Sequence, residues 1–316
     1  MAKIFTLCNQ KGGVGKTTTA VNLATGLASL GKKVLVIDID PQGNATSGLG
    51  LNKNEVSSGA YELISGEISI SEVIVNTCVT NLFLIPSNSN LAGAEVELIH
   101  YDSREFILKT VLERIKSQYD FIFIDCPPSL GLLTINALVA SEGMLIPLQC
   151  EYYALEGLGQ LIQTYQLVRE KLNGSLEISG VVLTMADFRT NLTQQVIEDV
   201  RSHFKDKVFR TVVPRSVKIS EAPSFGKPIA LYDPHSRGAK CYNEIAKEFL
   251  ERFSGSPESE LSDQEIASAS IGAPPRNDVS EGAAPGKNVI ASPSPVILNE
   301  VKDLRVNSAK QSQSDK

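Results

Sequence analysis

The sequence predicts an α/β protein, a mainly parallel twisted sheet with helices on both faces. Three observations carry that expectation. Seven short apolar runs, at 4–8, 34–39, 82–85, 121–124, 144–148, 181–185 and 208–213, alternate with helical patterns at 16–30, 103–117, 153–171, 192–204 and 237–253. Most of the runs are continuously apolar, as strands covered on both faces are, and a β-α-β rhythm favours parallel pairing. Polar motifs follow the first, second and fourth runs, where ligands of such sheets bind.

The run at 4–8 leads into Asn9-Gln10-Lys11-Gly12-Gly13-Val14-Gly15-Lys16-Thr17-Thr18, and a helical pattern opens inside it. A phosphate loop requires this context. Glycines let the backbone curl until several N–H groups face one anion, and the helix N-terminus adds its positive dipole end. Gly12, Gly13, Val14, Gly15, Lys16, Thr17 and Thr18 are therefore expected to hold ATP, in a P-loop NTPase. Lys16 is expected to reach the β- and γ-phosphates and the Thr17 hydroxyl to ligate Mg²⁺.

The run at 34–39 carries Asp38-Ile39-Asp40-Pro41-Gln42-Gly43-Asn44 at its end. Carboxylates at a strand end can hold Mg²⁺ through water and orient an attacking water. Pro-x-Gly chemistry suits a loop that senses the γ-phosphate. The run at 121–124 ends in Asp125-Cys126-Pro127-Pro128-Ser129. Four apolar residues and a carboxylate match a Walker B strand, with Asp125 beside the Mg²⁺. The prolines end the strand and begin a possible second switch.

The phosphate loop departs from the ordinary pattern G-x-x-x-x-G-K-[ST], because Gln10 holds the first glycine position and Lys11 follows it. In this it resembles the deviant Walker family, K-G-G-x-G-K-[ST], which includes ParA, Soj, MinD and nitrogenase iron protein. Residues 149–157 (QCEYYALEG), 214–224 (PRSVKISEAPS) and 232–239 (YDPHSRGA) resemble chromosomal ParA/Soj proteins rather than MinD or metabolic kinases. The resemblance implies that Lys11 reaches across a dimer to the partner's nucleotide, that Asp40 is needed for hydrolysis and that Asp38 lies near the metal. It also implies that Pro214, Arg215 and Ser216 border the adenine and that Arg189 and Lys218 contact DNA. The family often carries arginine at the positions of Lys218 and His235. The implied activity is a slow switch ATPase in which ATP drives a homodimer onto double-stranded DNA without sequence preference. Hydrolysis, stimulated by a ParB/Spo0J-type partner, releases it, in the service of chromosome or plasmid segregation on the nucleoid. With the loop starting at residue 9, no N-terminal helix-turn-helix domain is expected.

Charge and composition fit that expectation. Residues 1–183 carry 12 Lys and Arg against 18 Asp and Glu, whereas residues 184–253 carry 12 against 9, so any DNA-binding face belongs to the C-terminal third. No signal-like leader precedes the first run and no apolar stretch approaches the roughly 18 residues of a membrane span; a cytoplasmic protein with no membrane partner is expected. The cysteines, Cys8, Cys78, Cys126, Cys150 and Cys241, are scattered without a CxxC pair, which predicts small buried side chains rather than disulfides or zinc ligands. Cys126 lacks the second ligand cysteine that an iron–sulfur cluster shared across a dimer needs. From residue 254 to 316 Ser, Ala, Pro, Gly and Asn dominate, predicting a disordered tail behind one folded domain, 1–253. Within the tail, 295–304 could form a short amphipathic helix. Two other classes stay open: a membrane ATPase like MinD, needing a basic amphipathic C-terminal helix, and a nucleotide-binding scaffold without hydrolytic groups.

Overall fold

Continuous runs of β-branched, aromatic and leucine side chains become the central strands of one sheet, because such side chains fill a surface buried on both faces. The computed structural model describes residues 1–151 and 156–254. The expected tail beyond Ser254, with segment 295–304, and residues 152–155 of the 149–157 stretch lie outside the described residues. Met1–Arg252 forms one compact unit. Among the described residues the sheet has seven strands: β1 (Lys3–Leu7), β2 (Val34–Asp38), β3 (Val75–Asn76), β4 (Leu82–Ile85), β5 (Phe121–Asp125), β6 (Gly143–Gln149) and β7 (Glu177–Thr184). Their order is β3-β4-β2-β5-β1-β6-β7, and every pair is parallel except β3 with β4. The mainly parallel α/β sheet expected from the sequence is thus present.

The register decides where chemistry can occur. β5 lies between β1 and β2, and Asp125 is the partner of both Leu7 and Asp38. The three motif loops therefore leave one edge of the sheet side by side.

The two faces are covered separately. On the face that carries Ile4, the residues Ile4, Leu35, Ile37, Ile122 and Ile124 pack with Leu108, Leu112, Leu133 and Ala137 over one half of the sheet, while Met144, Ile146, Val181 and Leu183 of β6 and β7 pack with Leu161, Val168, Val196 and Val200 over the other half. On the face opposite Ile4, Phe249 of the C-terminal helix Arg237–Phe253 meets Phe5, Phe121 and Phe123 at centroid distances of 4.9, 5.2 and 5.5 Å. That helix also lies tight against helix α1 (Lys16–Ser29): a Cβ on Gly26 would come within 2.7 Å of the Ala246 Cβ, so only glycine fits there. Among the described residues no helix is long and apolar enough to cross a membrane.

Several expectations need correction. The run at 208–213 is not a strand. Val208 and Pro214 make single bridges to Val181 and Ala186, and the Phe209 and Val213 N–H groups donate to Val181 and Leu183 at 2.9 and 2.8 Å, but residues 209 to 213 then span only 181 to 183 of β7, so no continuous ladder forms. The stretch 103–117 yields only a helix at Ile107–Leu112 and a 3₁₀ turn at Lys116–Gln118. A helix at Leu132–Ala140 was not expected; seven of its nine residues are buried, which erases the polar face that helical periodicity needs. Cys8, Cys126 and Cys150 are buried as expected, but Cys78 is exposed and Cys241 partly so.

Because Phe249 joins the last helix to β1 and β5, the two central strands, Phe249→Ala should leave a cavity and destabilise the protein by about 3–5 kcal/mol. Urea unfolding of both proteins checks this; a loss under about 1 kcal/mol would show that the aromatic cluster is not a keystone.

Candidate active site

The phosphate loop takes its shape from two glycines and two anchors. Gly13 and Gly15 sit at φ +74° and +89°, the left-handed region that side-chain-bearing residues rarely enter. No atom lies within 4 Å of where a Cβ on Gly12 or Gly13 would stand, so that side of the loop is open. Asn9 Nδ2 donates to the Pro147 carbonyl of β6 at 2.7 Å, and its Oδ1 accepts from the Lys11 N–H at 3.0 Å. The Thr184 hydroxyl, at the end of β7, donates to the Val14 carbonyl at 2.8 Å. Asn9 and Thr184 had no predicted role; a single polar residue at a strand end carries no spacing signal.

The loop opens on a cavity of about 550 Å³ lined by Gly12, Gly13, Gly15, Lys16, Thr17, Thr18 and Asp40. Val14 is fully buried and contributes only its carbonyl bond to the wall. Lys16 is buried, with Nζ donating to the Lys11 carbonyl at 3.4 Å. The outer wall comes from Met185, Ile219, Ala222, Pro223, Ser224, Lys227 and Pro228, and Pro128 of the expected second switch also lines it. Met185 holds φ +53°, a strained conformation for a side chain of its size. Pro214, Arg215 and Ser216 do not line this cavity. Pro214 is bridged to Ala186, and Arg215 is turned to Glu151, whose Oε1 accepts from its Nη2 at 2.9 Å.

Asp38 and Asp125 lie fully buried at the adjacent strand ends. Thr46 donates to one Asp38 oxygen through both its N–H and its hydroxyl, each at 2.8 Å, and the Asp40 N–H donates to the other. Burial nonetheless pushes Asp38 up to about 6 against these bonds, and the nearby Asp40 charge adds to the rise. Asp125 is pushed well above the carboxylate range, first by burial and then by the Asp38 charge; Thr17 and Lys16 oppose this only in part. Neither Asp125 oxygen completes a hydrogen bond. A buried, unpartnered carboxylate beside a second carboxylate fits a divalent cation, and Thr17, Asp38 and Asp125 are the oxygen donors a magnesium ion takes. Asp40 lines the cavity, one of its oxygens accepting from the Gln42 N–H at 2.9 Å. Lys11 points elsewhere: it does not line its own cavity, and its half-exposed side chain meets Glu151 at 3.9 Å.

A family model described as an AAA domain matches residues 2–178. The sporulation initiation inhibitor protein Soj of Bacillus subtilis is 59% identical over 248 residues, which span 78% of this chain and 98% of that protein. The chain belongs to the Soj/ParA family. The chromosome partitioning protein ParA of Myxococcus xanthus is 51% identical over 252 residues, covering 80% of this chain and 89% of that protein. Among solved structures, cobyrinic acid a,c-diamide synthase from Mycobacterium smegmatis with bound ATP analogue and magnesium superposes with a TM-score of 0.71 at 34% identity, covering 80% of this chain and 96% of that one. As a Soj/ParA protein with this phosphate loop, the chain is a P-loop ATP hydrolase of the chromosome-partitioning type.

The bare carboxylates give the site a stability signature. The folded chain binds protons at Asp38 and Asp125 more tightly than the unfolded chain, so their contribution to stability is present below the ordinary carboxylate range, near 3.8, and is lost as pH rises through about 6 for Asp38 and higher for Asp125. Asp125→Asn should therefore stabilise the nucleotide-free protein at neutral pH, by about 2–4 °C in Tm for each kcal/mol of repulsion relieved, while weakening Mg²⁺-dependent nucleotide binding. Thermal unfolding at pH 5 and pH 8 checks this. A lower Tm for the variant at pH 8 would mean that the carboxylate is satisfied in the folded state.

Proposed function

We propose that the chain is a nucleotide-gated DNA-partitioning switch, cytoplasmic and nucleoid-associated, in which ATP binding builds a homodimer that holds double-stranded DNA and hydrolysis dissolves it. One observation carries this reading. An anchored phosphate loop and two bare carboxylates face one cavity, while Lys11, half exposed, is directed away from it. A lysine next to a phosphate loop but absent from its own cavity suits a charge delivered to a partner's nucleotide.

In this mechanism the N–H groups of Gly12 to Thr18 and the Lys16 ammonium bind the phosphates. Thr17, Asp38 and Asp125 hold Mg²⁺, which neutralises phosphate charge when bound. Asp40 orients the attacking water and accepts its proton. Lys11 of the facing subunit stabilises charge developing on the phosphates. The adenine assignment shifts from Pro214, Arg215 and Ser216 to the Ile219–Pro228 wall and Met185, which line the cavity. The tail from residue 254 is kept as a separate, non-catalytic segment behind the ATPase domain. A ParB/Spo0J-type protein is the inferred stimulator, on the strength of the family alone.

The DNA contacts are inferred at Arg189 and Lys218. Phe188 stacks on Arg237, with the guanidinium 5.3 Å from the ring centroid, and Ile219 packs against Gly238, so Arg189, Arg237 and Lys218 belong to one neighbourhood. A membrane role is disfavoured because the C-terminal helix buries its apolar side, including Ile245 and Phe249, against the fold.

Nucleotide binding, size-exclusion chromatography and phosphate release together test the switch. Lys16→Ala should abolish nucleotide binding. Lys11→Ala should bind ATP as a monomer and lose turnover by about 10³-fold or more. Asp40→Ala should bind ATP, accumulate as dimer and turn over at least about 10²-fold more slowly. Equal loss of ATP affinity in Lys11→Ala and Lys16→Ala would refute the trans role of Lys11.

For the DNA face, the slope of log affinity against log salt should be roughly −0.9 per phosphate neutralised. Arg189→Glu with Lys218→Glu should remove DNA binding and leave ATP-dependent dimerisation intact. An unchanged slope in the double variant would place the DNA face elsewhere.

A further inference from the structure

Two buried hydroxyls outside every sequence motif tie the loop after β2 to the end of β4. Thr46 lies in helix α2 (Asn44–Gly48) and is fully buried. Its hydroxyl donates to Asp38 Oδ2 at 2.8 Å, and the Thr46 Oγ1 in turn accepts from the Ser87 N–H at 2.9 Å. The Ser87 hydroxyl, buried just beyond β4, donates to the Asp40 carbonyl at 2.8 Å, an oxygen that also accepts from the Gly43 N–H. Helix α2 has no side-chain cap of its own, because its N-cap is Gly43; the Asp38 carboxylate accepts the Thr46 N–H in its place. Buried polar groups are retained when bonded, and both hydroxyls bond to one of the two switch aspartates.

We propose that Thr46 and Ser87 are positioning residues for the ATPase reaction: Thr46 holds the Asp38 carboxylate at the end of β2, and Ser87 holds the backbone that carries Asp40. The inference rests on the roles proposed above for Asp38 and Asp40. The two residues act on separable properties. Thr46 governs how well Asp38 serves a divalent cation, since partners that orient metal ligands typically change metal affinity or activity by about 10–100-fold. Ser87 governs where Asp40 stands relative to the cavity, and so the rate of hydrolysis at saturating Mg²⁺. Removing the Thr46 hydroxyl also leaves the Ser87 N–H without its acceptor, so the Thr46 variant disturbs both properties.

The test uses the full-length protein and two readouts, ADP affinity by calorimetry with MgCl₂ or with EDTA, and ATP turnover. In Thr46→Val the gain in ADP affinity from Mg²⁺ should fall about 10-fold, with ADP affinity in EDTA unchanged and kcat reduced; Thr46→Ser should restore both. Ser87→Ala should lower kcat with little change in KM and keep the Mg²⁺ gain. Should circular dichroism show that valine distorts the buried site, Thr46→Ala carries the same comparison. Asp38→Asn is the reference. If Asp38→Asn loses the Mg²⁺ gain and the Thr46 variant keeps it, the positioning role of Thr46 is overturned. An intact Mg²⁺ gain in Asp38→Asn itself overturns the metal role of Asp38, and the clamp with it.

Discussion

The parallel register around β5 is the constraint on which the rest of the site depends. Asp125 stands opposite Leu7 on one side and Asp38 on the other. Leu7 hands the chain to the phosphate loop and Asp38 hands it to the switch loop. Both acidic strands, VLVID and FIFID, are buried along their whole length, so their terminal carboxylates cannot turn to water. The sheet thereby holds two like charges together in a low-dielectric place, a state that packing elsewhere must sustain. A divalent cation held between them would offset that repulsion.

The two sides of the site are braced by different halves of the sheet. The phosphate loop is fastened to β6 and β7 through Asn9–Pro147 and Thr184–Val14. The aspartates are fastened toward β4 through Thr46 and Ser87. A nucleotide in the cavity touches both halves at the crevice where the chain crosses from one side of β1 to the other, as open α/β sheets generally arrange it. Such a layout separates a fixed anion cradle from a loop whose position is set by a few buried bonds.

What was legible in the sequence had a spacing signature. The glycine–lysine loop, the Asp38/Asp40 pair and Asp125 after four apolar residues could be placed because each motif requires a strand before it. Val208 to Val213 misled, since its apolar pattern is that of a strand but between its bonds from Phe209 to Val181 and from Val213 to Leu183 the chain loses register with β7, while Glu248 takes the outward Arg210 N–H. Helix Leu132–Ala140 was invisible because burial on nearly every side removes periodicity. Thr46, Ser87 and Thr184 were silent for another reason: one hydroxyl acquires meaning only when folding sets it within 3 Å of its acceptor. Pro214, Arg215 and Ser216, expected near the adenine, do not line the cavity, because the bridge of Pro214 to Ala186 keeps that segment on the sheet.

Local acids shape how the proposed DNA face could work. Arg189 is largely exposed, yet Asp187 accepts from its Nε and Nη2 at 2.7 and 2.6 Å, and the pair holds the Asp187 carboxyl down at about 2. Asp187 therefore stays ionised at any pH the protein meets in a cell. Lys218 is similarly placed 3.4 Å from Glu221. A phosphate approaching either cation must compete with a carboxylate already seated there, so each contact yields less than a bare cation would. Within an acidic chain, one subunit's few partly cancelled cations make a weak grip. Two such faces joined rigidly add their contacts without paying twice for association, so affinity rises steeply with dimerisation and collapses when the dimer parts. On the proposed mechanism, weakness of the single face is then what would let nucleotide state, rather than charge alone, decide occupancy of DNA.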